Sequence, residues 1–166
     1  MARTLFDLSR QTYKNFEILI GDDASTDNTA ELIAKINHPQ IRYFQHAKNL
    51  GIYPNWNFLI QQSHGALVCI FHDHDIYLPT ILERSIDTFR NFPSVQFVHS
   101  ALIMVDDETA PLSVDIRPFP PATPGGSLRK LIADSLDSPV MAATAVVRRE
   151  AYDKAGLYDP TRYGLG

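Results

Sequence analysis

Apolar positions along this chain fall by turns into short continuous runs and into helical spacing. The run Leu67-Val68-Cys69-Ile70-Phe71 has no polar interruption, the pattern of a strand buried on both faces inside a sheet. Residues 16–20 and 41–45 form two more strand-like stretches. Between them, Ala30, Ile33 and Ile36 recur on one side of a helix that Asp27 can cap. Residues 2–11 read as a helix carrying Leu5, Phe6 and Leu8, and residues 55–62 as another that follows the turn signal Asn49-Leu50-Gly51. Pro79 suits the first position of a helix running to about Phe92, with Leu82, Ile86 and Phe89 at helical spacing. Residues 95–98 and 140–147 look extended. The proline-rich stretch 110–126 reads as a loop, residues 127–136 as a helix, and residues 149–155 as a helix stopped by Gly156.

Strands alternating with helices predict an α/β fold with a mostly parallel sheet flanked by helices, in one domain spanning residues 1–166. Such folds bind ligands just outside the carboxyl ends of their strands. Two acidic groups follow strands here: Asp22-Asp23, and the cluster His72-Asp73-His74-Asp75. In a parallel sheet both would open on the same edge.

Composition narrows the partners. The chain is 45% apolar and 10% aromatic, with a formal charge of −4, as expected for an ordinary globular domain. No basic excess suggests a nucleic-acid polymer. A small anionic ligand stays compatible, because a metal ion can supply positive charge locally. The single cysteine, Cys69, lies inside an apolar run and reads as a core residue rather than a reactive thiol. No apolar stretch reaches the roughly 20 residues of a bilayer span, and Met1-Ala2-Arg3-Thr4 shows no secretory pattern. These features set cytoplasmic as the default location, with peripheral membrane attachment left to segments outside this chain.

The acidic groups have chemical and bland readings. A carboxylate past a strand end can accept hydrogen bonds from a base N–H or a ribose hydroxyl. Asp27 and Ser25 can instead cap a helix, whereas the adjacent acids Asp22 and Asp23 repel each other unless partnered. The cluster at 72–75 offers carboxylate and imidazole ligands to Mg²⁺ or Mn²⁺, or is a solvated polar turn. His38, His46, His64 and His99 read as surface or packing residues.

Taken in order, these segments resemble family 2 glycosyltransferases, inverting enzymes of the GT-A (Rossmann-like) fold. The resemblance rests on the stretch 11–29 with Gly21-Asp22-Asp23-Ala24-Ser25-Thr26-Asp27, then Asn49-Leu50-Gly51, Asn57, Gly65, Asp73-His74-Asp75-Ile76-Tyr77-Leu78-Pro79, and the segment 145–159. It implies a nucleotide-sugar donor, most often a UDP-sugar, with Asp22 and Asp23 at the nucleoside. It places Mn²⁺ or Mg²⁺ at Asp73, His74 and Asp75, and a glycan or lipid-linked acceptor, as in polysaccharide biosynthesis, near residues 141–148. His74 stands where the family often has an aspartate. The family also has an apolar strand ahead of the first helix and an acidic motif supplying the general base at about the point where this chain reaches Gly166. The resemblance therefore implies an incomplete domain, an internal fragment with no catalytic base and no turnover of its own. Two other readings stand beside it. One is a non-catalytic nucleotide-binding remnant. The other is a histidine–aspartate phosphohydrolase, which would require the cluster to lie among helices.

Overall fold

The computed structural model describes residues 1–106, 111–115, 142–159 and 161. The helix expected at 127–136, Met141 and the stretch 163–166 lie outside them. The chain runs α1 (Ala2–Ser9), β1 (Ile18–Asp22), α2 (Thr29–Ile36), β2 (Ile41–Gln45), α3 (Ile52–Gln62), β3 (Leu67–Cys69), α4 (Ile81–Asn91), β4 (Phe97–His99), β5 (Leu102–Val105) and β6 (Pro111–Asp115). A 3₁₀ turn (Ala142–Thr144), β7 (Ala145–Arg148) and α5 (Arg149–Ala155) follow.

The α/β alternation is as expected, and β1 and β2 pair in parallel from Ile18↔Ile41 to Asp22↔Gln45. A second ladder adds an antiparallel strand to this arrangement. There β7 enters antiparallel between β3 and β4. Periodicity reports burial but not strand direction, so an extended segment arriving late in the chain can insert in either sense. A correction concerns the proline-rich stretch, expected as a loop: residues 111–115 form β6, antiparallel to β5. Pro111 is tolerated because it is the first residue of its strand.

Boundaries shift where single residues decide them. β1 ends at Asp22 rather than residue 20, which makes that carboxylate part of the strand. β3 stops at Cys69, leaving Ile70 and Phe71 as the lead into the acidic cluster. α3 starts at Ile52, ahead of the expected residue 55, because Pro54 falls in its first turn, where a missing N–H costs no helical bond. Its N-cap, Gly51, has φ +87°, a conformation glycine adopts freely.

The core joins Ile60 of α3, Val68 of β3, Ala145 and Val147 of β7, and Ala151 and Tyr152 of α5. α3 also lies on β1. Asn55 Nδ2 donates to the Gly21 carbonyl at 2.9 Å. A Cβ at position 21 would run into Asn55 Oδ1 and come within 3.0 Å of Leu59 Cδ1. α3 therefore packs on both ladders, through Asn55 and Leu59 on one side and Ile60 on the other.

α1 buries an unexpected face. Its inward residues are Thr4, Asp7 and Leu8, and Gln11 follows at the same helical phase with 0% exposure, while Phe6 is 54% exposed. A mainly polar stripe faces inward because α1 docks on the irregular segment 72–80 and the first turn of α4, whose backbone groups need partners.

Candidate functional site

The two acidic groups are built differently. Asp22, only 3% exposed, accepts a hydrogen bond from the Tyr43 hydroxyl across the β1–β2 ladder and one from Ser25 N at 2.7 Å. Burial pushes the Asp22 carboxyl up, but the Tyr43 and Ser25 hydrogen bonds outweigh it and hold the group below its ordinary value. Burial first, then the bond to Asp22, pushes the Tyr43 phenol up to about 12. Asp23 reaches the other way, accepting from Leu50 N at 2.6 Å and Gly51 N at 2.9 Å. It thereby ties the strand end to the start of α3. The next residue, Ala24, sits at φ +65°. Asp27 accepts from Thr29 N at 3.0 Å from one position ahead of the expected cap, because the N-cap of α2 is Asn28.

The second group, after β3, is organised by Tyr77, which is 6% exposed. Its hydroxyl accepts from His72 N at 2.9 Å and donates to Asp75 Oδ2 at 3.2 Å, and its ring stacks on Phe71 at 4.0 Å. Tyr77 N donates to Asp7 Oδ2 at 3.1 Å. Thr4 Oγ1 donates to the Asp73 carbonyl at 2.8 Å. Gln11 donates to Leu78 O at 2.9 Å and accepts from Leu82 N at 3.3 Å. Thr4, Asp7, Gln11 and Tyr77 are positioning residues that the sequence reading did not single out. The available signal was polar residues at 4, 7 and 11, one helical stripe shared with Leu8.

Among the described residues, one set of side chains converges as ligands. His72, His74 and Asp75 each offer one atom, and these atoms lie within 4.8 Å of one another. The expected ligand set was Asp73, His74 and Asp75. The close group contains His74 and Asp75 of that set together with His72, and the Asp73 carboxylate faces His74 Nδ1 at 3.2 Å.

α3 joins the two groups. Asp23 grips its N-cap at Gly51, and its Trp56 ring stacks on His72, with centroids 5.6 Å apart and planes at 21°. At about 1.5 Å of rise per residue, those two anchor points are separated by about 8 Å along the helix axis. Both acidic groups therefore sit at the N-terminal half of one helix. The same half carries Tyr53, stacked on Tyr158 at 5.8 Å, while Asn57 exchanges two hydrogen bonds with the Tyr158 backbone.

Other expectations fall into place as packing. His46 bonds Asn55 Oδ1 at 3.1 Å and meets the Phe58 ring edge-on. His64 lies against Glu17 and Arg42. Burial pushes the Cys69 thiol far above its ordinary range, which suppresses the thiolate. No helix among the described residues is long and apolar enough to cross a membrane.

Comparison with known proteins agrees with this architecture. The family model described as Glycosyl transferase family 2 matches residues 1–156. Chondroitin synthase of Escherichia coli is 30% identical over 110 residues, which is 65% of this chain and 16% of that protein. The Escherichia coli protein named UDP-Glc:alpha-D-GlcNAc-diphosphoundecaprenol beta-1,3-glucosyltransferase WfaP is 32% identical over 76 residues, 46% of this chain and 30% of its own length. The chain thus spans less than half the length of these relatives. The crystal structure of S. aureus TarS 1-349 in complex with UDP superposes with a TM-score of 0.68 at 20% identity, covering 98% of this chain and 47% of that one. The mannosyltransferase PcManGT from Pyrobaculum calidifontis, in complex with GDP-Man and Mn²⁺, gives 0.65 at 15% identity, covering 94% and 42%. These likenesses assign the GT-A fold. With a strand-end acid pair and a post-strand acidic cluster gathered on one helix, and a family match through residue 156, the chain belongs to glycosyl transferase family 2.

Proposed function

We propose that this chain forms the donor-binding part of an inverting glycosyltransferase that moves a sugar from a nucleotide-sugar donor, a UDP-sugar, to a hydroxyl of a glycan or lipid-linked acceptor. The observation that carries the reading is the bridging role of α3, which gathers the Asp22–Asp23 rim and the His72–Asp75 turn at one end. Asp23 faces the nucleoside, its carboxylate keeping acceptor capacity beyond the two backbone bonds it already makes. Asp22 is too buried for direct contact and acts by holding Tyr43 and Ser25 in place. The turn at 73–75 lies where the diphosphate would sit. Mn²⁺ or Mg²⁺ bound there supplies positive charge to the departing diphosphate.

In the reaction the acceptor oxygen bonds to the anomeric carbon from the face opposite the diphosphate. The bond to the diphosphate oxygen breaks and its electron pair leaves with that group. The acceptor proton passes to a general base. Residues 142–148 border the acceptor side in this reading. A binding role without turnover shares the same donor site. The phosphohydrolase reading loses its setting, because His72–Asp75 form a turn after β3 and are not carried on a helix.

Calorimetry with UDP in the presence of Mn²⁺ tests the proposal. We expect saturable one-site binding, ADP binding at least about tenfold more weakly, and Asp23→Ala losing about tenfold for UDP, a difference of about 1.4 kcal/mol. Equal affinity for UDP and ADP, or no binding of UDP, would overturn it.

A further inference from the structure

Asn57 is among the motif residues of the sequence, yet the proposed reaction gives it no part. We infer that Asn57 is a positioning residue: it clasps the segment leaving α5, residues 157–159, onto α3, and the Tyr158 and Trp56 rings carry the state of that clasp to the turn at residues 72–75. Nucleotide binding at the donor rim and closure of the clasp then favour each other. The nucleotide part rests on the donor reading above; the clasp and its path to the turn do not.

The clasp is a two-point contact. Asn57 Nδ2 donates to Tyr158 O at 2.7 Å, and Asn57 Oδ1 accepts from Tyr158 N at 3.0 Å. Turning the amide over would set N–H against N–H and oxygen against oxygen, so the pair fixes the orientation of the Asn57 side chain. One side chain thus satisfies both backbone groups of a residue 101 positions away, as a neighbouring strand does in a sheet. Residues 157–159 belong to no helix or strand, so Asn57 supplies partners that regular structure does not. The chain arrives there through Gly156, which caps α5 at φ +90° with its N–H on Tyr152 O at 2.9 Å. A Cβ at Gly156 would meet nothing within 4 Å, so the backbone conformation alone asks for glycine.

The rings make the path. Tyr53, Trp56 and Asn57 follow at helical spacing, on one face of α3. Tyr158 stacks on Tyr53 at 5.8 Å and meets Trp56 edge-on, at 5.4 Å and 70°. Trp56 in turn stacks on His72 at 5.6 Å and 21°, and the Tyr77 hydroxyl holds His72 N at 2.9 Å. The Trp56 ring therefore touches both the clasped segment and the turn after β3. Tyr158 is itself packed against the buried core cluster, with Tyr152 at 6.2 Å. When the clasp opens, Tyr158 uncovers an edge of Trp56, and Trp56 is free to turn away from His72. A ligand that binds the ordered turn more tightly than the loosened one closes the clasp by the same factor by which the clasp improves its binding, because coupling between two sites is reciprocal.

Amide hydrogen exchange of the full chain, read residue by residue by NMR without ligand, tests the path. Asn57→Ala should speed exchange at Tyr158 N and at His72 N by at least about tenfold each, with the β1–β2 ladder unchanged. Tyr158→Ala keeps the backbone clasp and removes the ring, so the amide at position 158 should stay protected while His72 N opens. Asn57→Asp keeps the acceptor for Tyr158 N and loses the donor, and should fall between the wild type and Asn57→Ala. Emission of Trp56, the chain's single tryptophan, should shift in Asn57→Ala and Tyr158→Ala alike. In calorimetry with UDP and Mn²⁺, Asn57→Ala should bind about fivefold more weakly, the lower end of ordinary coupling between sites. UDP should slow exchange at Tyr158 N of the wild type by that same factor. Far-ultraviolet circular dichroism checks the fold of each variant; if Asn57→Ala unfolds, Tyr158→Ala and Asn57→Asp carry the same test. His72 N unmoved in the folded variants would overturn the inference. So would equal loss of protection throughout the chain, or equal UDP affinity in the wild type and Asn57→Ala. A wild type that shows the exchange pattern but binds no UDP would remove the donor reading and leave the clasp. UDP binding with His72 N unmoved would do the reverse.

Discussion

Asp22 and Tyr43 share a hydrogen bond at the rim, and their linkage signs are opposite in pH. The Asp22 carboxyl is held below its ordinary value in the fold. Its stabilisation is therefore complete above the unfolded value of about 3.9 and is lost as pH falls through the folded one. Tyr43 is pushed up from 10 to about 12. Its contribution is complete below pH 10 and fades as pH rises toward 12. The pair should stabilise the fold fully between about pH 5 and 9. Asp22→Asn should cost about 1.5–3 kcal/mol in that window, the worth of a hydrogen bond to a charged group. Urea denaturation against pH checks the sign, because the gap between wild type and variant should close as the solution is taken below pH 3.9. A gap that stays constant through the acid limb would show that the carboxylate's charge is not what the Tyr43 contact stabilises.

At the scale of elements, α1 and the 72–82 segment behave as one unit. Gln11 sits at the end of that interface with no exposed surface and bonds to Leu78 O and Leu82 N. Its truncation leaves Leu82 N without its partner, at about 1–3 kcal/mol when buried, opens a gap in a fully buried place, and removes one of the two donors to Leu78 O, which keeps Ile81 N at 3.2 Å. We expect Gln11→Ala to destabilise the chain by about 2–4 kcal/mol. Native-state hydrogen exchange should show the Leu82 and Tyr77 amides opening before the β1–β2 ladder does, since α1 reaches Tyr77 N through Asp7. Uniform loss of protection everywhere would mean that α1 docking is not a separate cooperative step. The inward face of α1 also shows how much was legible beforehand. The positions of Thr4, Asp7, Leu8 and Gln11 lay on one stripe in plain view. Their burial did not, because polar residues on a helix ordinarily mark its wet face, and only the unsatisfied backbone of a distant segment reverses that rule.

Across the whole molecule, two adjacent arginines at the end of β7 hold distant segments together. Arg149 donates to Gly65 O at 3.0 Å, Ile60 O at 3.1 Å and the Ser63 backbone and hydroxyl. It thereby closes the carbonyl end of α3, where a cation is favoured. Arg148 donates to Val95 O at 2.8 Å and lies over the Phe89 ring at 4.8 Å, which fastens α4 and β4. Arg149→Met should lower stability by about 2–4 kcal/mol, through carbonyls left without donors. The exposed Lys154–Glu150 pair, at 3.3 Å, is worth about 0.3–0.5 kcal/mol by contrast. Urea midpoints should separate Arg149→Met from Lys154→Ala by several-fold in free energy, with slopes unchanged. Equal midpoints would place the joint between α3 and β7 in the apolar core alone.

The linear pattern of residues determined by itself that this chain alternates strands and helices, that Asp22-Asp23 and the 72–75 cluster follow strands, and that the ordered motifs belong to one glycosyltransferase family. Hydrophobic periodicity and strand-end chemistry are local properties, so they survive in one dimension. Tertiary structure alone decided that β7 lies antiparallel between β3 and β4, that Asp22 is buried while Asp23 is tied to Gly51, and that the His72 ring stacks on Trp56. Each of these depends on which distant backbone or ring occupies the space beside a residue: Arg148 beside Leu67, Tyr43 beside Asp22, Trp56 beside His72. Chain closure sets those neighbours, and sequence spacing carries no record of them.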